Sequence, residues 1–234
     1  MSEVKSDGFA NFLGVNEEQN RKFEQYFELL VEENKHMNLT AITERAEVFE
    51  KHFWDSLALG QFVHLEGKTL IDVGTGAGFP GVPLKIAHET LQVTLLDALQ
   101  KRIGFLQRVC KSLELDEITP LHARAEEYAK EAEVRESYDF ATSRAVASLN
   151  VLCELTLPFV KVGGSFLAMK AGNYKEELEQ AKQAIETLGA VVVAEHSYHL
   201  PHSNAERVLI LIEKKSKTPQ MYPRRFAKIQ KSPL

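Results

Sequence analysis

The run Leu70-Ile71-Asp72-Val73-Gly74-Thr75-Gly76-Ala77-Gly78-Phe79-Pro80-Gly81 constrains this chain more than any other stretch. An apolar strand pattern meets an acid and opens into glycines at alternate positions. A helical pattern with Pro at its start follows. Residues without a Cβ accept positive φ and let another molecule lie against the backbone. The helix behind the loop begins with N–H groups that have no intrahelical partner. The bland reading is a structural turn; the sharper one is a ligand cradle at a strand's carboxyl end.

The spacing separates two kinds of nucleotide-like ligand. A dinucleotide loop follows G-x-G-x-x-G, but the third position of that fingerprint is Phe79 here. A bulky ring there disfavours the close helix packing that a pyrophosphate needs. D-x-G-x-G-x-G after a strand resembles the first motif of S-adenosylmethionine (SAM) methyltransferases.

From residue 68 onward, apolar runs alternate with helical patterns. Strands are expected at 69–73, 92–97, 118–122, 138–143, 165–170, 190–198 and 207–213. Helices are expected at 80–88, 100–113, 125–130, 149–160 and 173–188. Repeated βα units imply a parallel sheet covered on both faces. The last two strands are joined by a short polar link, which fits an antiparallel hairpin. The expected fold is therefore α/β: the Rossmann-like, seven-stranded sheet of a class I SAM-dependent methyltransferase. Two helices precede it, one over 16–35 with Asn16 placed to cap it, and one from about Thr43 to Gly60. This predicts a helical extension over 1–66, a SAM-binding core over 67–213 and a basic C-terminal tail over 214–234.

Net charge is −5, which argues against a polyanionic partner until its distribution is read. Residues 214–234 hold seven Lys and Arg and no acid; the rest of the chain carries 21 basic against 33 acidic residues. Such asymmetry suggests nucleic-acid contact, with a solvated tail as the alternative. Cys110 and Cys153 lack metal-like spacing and read as reduced thiols. No metal site is expected. No membrane span and no apolar leader near Met1 are visible, so a cytoplasmic location is expected.

Ligands of open α/β sheets bind beyond the carboxyl ends of strands. Those positions supply the candidate cofactor residues: Gly74, Gly76, Gly78 and Phe79 after the first strand, Asp97 after the second, Ala125 and Glu126 after the third, and Arg144 after the fourth. Asp97 ends an apolar run and can accept both ribose hydroxyls; a helix-capping role is the alternative. Ala125 and Glu126 suit the edge of a flat ring. Arg144 can meet a carboxylate or a phosphate. Lys170, Arg224 and Arg225 are candidates for RNA contact. Lys101, Arg102, Arg108 and Lys111 form either a basic face or a solvated helix side. His52 and Asp55 share a helix face at i, i+3 and read as a packing pair. No side chain is assigned a catalytic role.

Two absences narrow the acceptor. The fourth strand is followed by Ser143-Arg144-Ala145-Val146, not by the Asp or Asn-Pro-Pro-aromatic motif of amino-group methyltransferases. Neither Cys follows Pro, as a cytosine C5 nucleophile commonly does. A nucleophile with a free lone pair and no proton, such as guanine N7, needs mostly positioning. A methyltransferase of small molecules or proteins, an NAD-dependent oxidoreductase and a non-catalytic RNA-binding protein that holds SAM remain open on these residues.

Six ordered motifs span nearly the whole chain: Asn38-Leu39-Thr40-Ala41-Ile42; His52-Phe53-Trp54-Asp55-Ser56-Leu57; Asp72 through Gly81; Asp97 with Lys101-Arg102; Ser143-Arg144-Ala145-Val146-Ala147; and Tyr222-Pro223-Arg224-Arg225. Together they resemble the RsmG (GidB) family. The resemblance implies a SAM-dependent enzyme that methylates N7 of a guanosine in bacterial 16S ribosomal RNA. Its partner would be that RNA or the small ribosomal subunit, with no obligate protein partner evident. It places Gly74, Phe79, Ala125, Glu126 and Arg144 at cofactor contacts and suggests that His52 and Asp55 lie near the crevice. The chain departs from one common family pattern at the end, with Phe226-Ala227-Lys228-Ile229 where many members carry Gly-x-Pro.

Overall fold

The computed structural model describes residues 12–172 and 174–234. The expectations for Met1 to Asp7 and for Asn173 lie outside the described residues. Seven strands form one sheet: β1 Thr69–Val73, β2 Gln92–Asp97, β3 Ile118–His122, β4 Tyr138–Arg144, β5 Val160–Lys170, β6 Ala190–His199 and β7 Glu206–Lys214. Their order is β3-β2-β1-β4-β5-β7-β6. The first five are parallel, and β7 lies antiparallel between β5 and β6. The chain reverses direction across the sheet between β1 and β4. Their carboxyl ends therefore diverge into the crevice where this class of sheet binds ligands.

Alternation along the strands builds two cores. Leu70 of β1, Leu167 and Met169 of β5 and Leu209 of β7 face one side; Ile71, Val73, Phe166, Ala168, Val208 and Ile210 face the other. The first side is covered by α1 Glu17–Met37, by a helical stretch over 45–61 called α2, by α3 Gly81–Ala87 and by α4 Gln100–Ser112. The second is covered by α6 Leu149–Thr156, α7 Tyr174–Thr187 and α8 Phe226–Lys231; the short α5 Ala125–Tyr128 follows β3.

α1 starts where its sequence signals it. The Asn16 side chain accepts the Gln19 N–H at 2.9 Å, and the Gln19 side chain accepts the Asn16 N–H at 3.1 Å. Its buried face carries Phe23, Tyr26 and Leu30. The Tyr26 hydroxyl donates to the Ala77 carbonyl, so the first helix grips the glycine loop from behind. α2 is irregular: Phe49–Trp54 winds as a π-helix, and the Asp55 N–H reaches back to the Glu50 carbonyl. Single π turns gather at functional sites, and this one carries His52 and leads into Asp55. The sequence pattern foresaw the helix but not its altered winding.

Residues 214–234, expected as a basic C-terminal tail of undetermined order, pack against the core. Thr218, Tyr222 and Ile229 are buried, and Lys214 is enclosed, with its ammonium on the Leu157 carbonyl at 2.8 Å and on Glu136 at 3.0 Å. The apolar residues Tyr222, Phe226 and Ile229 recur at helix-like spacing and dock on the second core. That pattern, legible beneath the charges, outweighs the lysines and arginines around it.

Gly78 tests the joint between the glycine loop and the first helix. Its φ is +104°, and a Cβ there would lie 2.7 Å from the Tyr26 hydroxyl and 2.8 Å from Leu106 and Val82. Gly78→Ala should lower the unfolding free energy by about 2–3 kcal/mol. Urea denaturation measures this, and an unchanged midpoint would contradict the packing described.

Candidate functional site

Two carboxylates shape the glycine loop. Asp72 is fully buried at the end of β1. Its Oδ2 accepts the Thr75 hydroxyl at 2.7 Å and the Gly81 N–H at 2.9 Å, tying the start of the loop to the helix behind it. Burial pushes its acid up to about 6 despite those two bonds, and Oδ1 has no partner among the described residues. Asp97 closes the other side: Oδ2 accepts the Gly76 N–H at 3.0 Å, and Oδ1 accepts the Leu99 N–H at 2.8 Å. Arg102 reaches Oδ2 at 3.2 Å.

The structure brings Gly74, Asp97, Ala125 and Glu126 together around a cavity of about 150 Å³, with Val73, Leu96, Ala123, Val146, Leu155 and Phe226 as apolar walls. At its edge α5 begins, where the first N–H groups have no intrahelical acceptor. Gly76 stands behind this cavity through its bond to Asp97. Gly78 is a packing glycine wedged against Tyr26. Phe79 is buried beneath the His52 ring, 4.5 Å between centroids.

A larger cavity of about 540 Å³ opens beside the first and shares Val146 with it. Val146 rests on Gly74, where a Cβ would come within 2.8 Å of it. The larger cavity is lined by Lys51, His52, Asp55, Arg144, Met169, Lys170, Glu177 and Arg207. Arg144 thus sits here and not in the smaller cavity, with its guanidinium 5.3 Å from the Phe79 ring centre. Its Nη1 donates to Asp55 at 3.0 Å.

Asp55, read from the sequence as a packing residue, is a hub. It is 2% exposed and also accepts the Tyr198 hydroxyl at 2.9 Å, with Arg207 Nε at 3.6 Å. The hub joins α2, β4 and the β6–β7 hairpin. Burial first, and then the Asp55 charge, push the Tyr198 phenol well above its ordinary range, so it stays a donor. Sequence reasoning missed Tyr198 and Arg207 because their pairing with Asp55 spans more than 140 residues. Val146, Lys51 and Met169 were missed as well.

His52 accepts or donates at Thr40 Oγ1 over 2.9 Å. The Asn34 side chain brackets Thr40 at both its N–H and its carbonyl, which is why Asn38-Leu39-Thr40-Ala41-Ile42 folds against α2. Among the expected RNA contacts, Arg225 is exposed and Lys170 lines the larger cavity, with its ammonium 2.6 Å from Glu177. Arg224 is held by Glu154: its backbone N–H and Nε each reach that carboxylate at 2.8 Å, and Nη2 does so at 2.5 Å. A fully buried carboxylate needs a partner, and this part-buried guanidinium supplies it. Arg102 and Arg108 on α4 likewise pair with Asp97 and Glu33. Burial raises the Cys110 thiol to about 12, and Cys153 is fully enclosed. No group of three His, Cys, Asp or Glu among the described residues could hold a metal ion.

A seven-stranded sheet of this order, with a reversed β7 and joined cavities at the carboxyl ends of β1, β2 and β4, is that of a class I SAM-dependent methyltransferase. Similar folds occur in M. jannaschii TYW2 in complex with AdoMet (TM-score 0.57, 16% identity, 74% of this chain and 79% of that one). Another is a SAM dependent methyltransferase from Aquifex aeolicus (TM-score 0.54, 18% identity, 75% and 97%). The family model GidB, rRNA small subunit methyltransferase G, matches residues 19–210. Relatives called Ribosomal RNA small subunit methyltransferase G are 49% identical over 223 residues in Lachnoclostridium phytofermentans (95% of this chain, 92% of the relative) and 50% identical over 214 in Bacillus pumilus (91% and 90%). The chain belongs to the GidB family.

His52 gives the site a pH signature. Burial, helped by Arg144, lowers its pKa to about 3 from 6.5. The unfolded chain takes up this proton first, so stability is lost as pH falls from 6.5 toward 3. Asp72 acts with the opposite sign, its contribution fading as pH rises from 3.8 to about 6. His52→Phe keeps a ring on Phe79 and removes the first effect. Between pH 7 and pH 5 the parental protein should lose about 2 kcal/mol more than this variant in urea denaturation. Equal losses would exclude His52 as the sensor.

Proposed function

We propose that this chain is a SAM-dependent methyltransferase that modifies N7 of a guanosine in the 16S RNA of the small ribosomal subunit. The observation that carries this reading is the pair of cavities that meet at Val146 in a member of the GidB family. The smaller one fits an adenosine group: apolar walls for the purine, a carboxylate at Asp97 for the ribose, and the first N–H groups of α5 at the ring edge. Asp97 already accepts Gly76, Leu99 and Arg102. A carboxylate offers roughly four acceptor positions, and Arg102, itself part-exposed, is the partner that ribose hydroxyls displace. Asp72 Oδ1, without a partner among the described residues, leaves one further buried acceptor at the loop.

When bound, SAM supplies a methyl group on a sulfonium, an electrophile that needs no further activation. The larger cavity then has to hold the acceptor base. Its side chains are suited to positioning and poorly suited to taking a proton. His52 is held to a pKa of about 3, Asp55 is committed to Arg144 and Tyr198, and Glu177 is committed to Lys170. A guanine N7 has a lone pair and no proton to lose, so alignment supplies most of the catalysis. Lys51 and Arg207 at the wall bring positive charge for RNA phosphates.

Calorimetry should find SAM binding and no NAD binding. Asp97→Ala should weaken SAM binding by about tenfold or more, as expected for losing a charge-assisted hydrogen bond. With labelled SAM and small subunits from cells lacking this protein, one 7-methylguanosine should form in 16S RNA, and complex formation should weaken as salt rises. NAD binding without SAM binding, or label found only in protein, would refute the reading.

A further inference from the structure

The C-terminal segment is fastened at three points, and one residue between them reaches the smaller cavity. Arg135 donates from Nη1 to the Tyr222 carbonyl at 2.8 Å and from Nη2 to the Thr218 carbonyl at 2.9 Å. Glu154, fully buried on α6, holds Arg224 through its backbone N–H and its guanidinium. Ile229 is fully buried in the second core. Phe226 lies two residues after the Glu154 clamp and shares a helix face with Ile229 at i, i+3. The fastenings on either side therefore fix where its ring stands. It is one wall of the 150 Å³ cavity, with Ala123, Ala125, Glu126 and Leu155. It is only part-buried, so one part of the ring is left for a ligand to cover.

We infer that Phe226 is a cofactor-contact residue, the apolar wall against the purine of SAM, and that the C-terminal segment serves as a strap closing the adenosine end of the site. This rests on the reading that the smaller cavity takes the adenosine group. It gives the motif Tyr222-Pro223-Arg224-Arg225 a different purpose from phosphate binding. Arg224 locks the strap to Glu154 so that Phe226, the next residue but one, meets the ligand. An aromatic ring against a purine contributes beyond the area it covers. The strap also explains why a segment so rich in lysine and arginine is built into the second core.

The test is calorimetric titration of S-adenosylhomocysteine and of 5′-methylthioadenosine, which lacks the amino-acid end, into the parental protein, Phe226→Ala and Phe226→Leu. Phe226→Ala should weaken both ligands by about tenfold and by the same factor, with Phe226→Leu intermediate. Circular dichroism and thermal midpoints establish that each variant is folded. If Phe226→Ala does not fold, Phe226→Leu keeps the packing of α8 and reads the same contact; parental affinity in that variant would then overturn the inference. Unchanged affinity in folded Phe226→Ala, or a loss confined to S-adenosylhomocysteine, would also overturn it. Failure of the parental protein to bind either ligand would instead overturn the cofactor reading, and the inference with it.

Discussion

The buried carboxylate of Asp72 is the constraint on which the site depends. One oxygen takes the Thr75 hydroxyl and the Gly81 N–H, so a single side chain fixes both the exit from β1 and the entry to α3. Removing a carboxylate from water is costly unless hydrogen bonds replace the lost hydration. Burial raises this one to about 6, which records a compensation that is incomplete. The loop between those bonds has little freedom left. Gly76 is drawn to Asp97, Gly78 is wedged under Tyr26, and Gly74 is left facing Val146 and the cavity. A cradle of this kind binds because its shape is set before the ligand arrives.

The helical extension belongs to the site as much as to the fold. Phe23, Phe53 and Phe49 pack ring to ring, with Phe23–Phe53 centroids 5.0 Å apart and Phe49–Phe53 centroids 4.9 Å apart, and Tyr26 joins this cluster to Phe79. Phe79 in turn carries His52 on its face and Arg144 nearby. The Asp55 hub then reaches across to Tyr198 and Arg207 on the last hairpin. Glu50 fastens the turn of that hairpin by accepting the His202 and Ser203 N–H groups. The larger cavity is thus walled by three parts of the chain that are remote in sequence. A change in α2 should be felt at the acceptor base before it is felt at the cofactor.

What the sequence disclosed follows from the range of the interactions involved. The seven strands, the reversed final pair and the Asn16 cap are local patterns, and they were legible. So was the grouping of Gly74, Asp97, Ala125 and Glu126, because strand order alone brings carboxyl ends together. The Asp55 hub was not, since nothing near Asp55 announces a tyrosine on β6 at the edge of the sheet. The Arg224–Glu154 pair was hidden for a related reason. A cluster of basic residues reads as a solvated or phosphate-binding face until the buried Glu154 that claims one of them is located. Phe226 carried a fair signal in its spacing from Tyr222 and Ile229, hidden by the charges between.

On the proposed reading one ligand spans the two cavities, with its adenosine group in the smaller and its reactive end passing Val146 toward the larger. A crystal structure of the complex with S-adenosylhomocysteine measures this directly. The purine should lie between Ala125 and Phe226, the ribose hydroxyls on Asp97, and the sulfur at the Val146 edge facing the cavity that holds Arg144 and Asp55. A ligand bound wholly within the larger cavity, with Asp97 still bonded to Arg102 and no density beside Phe226, would contradict it.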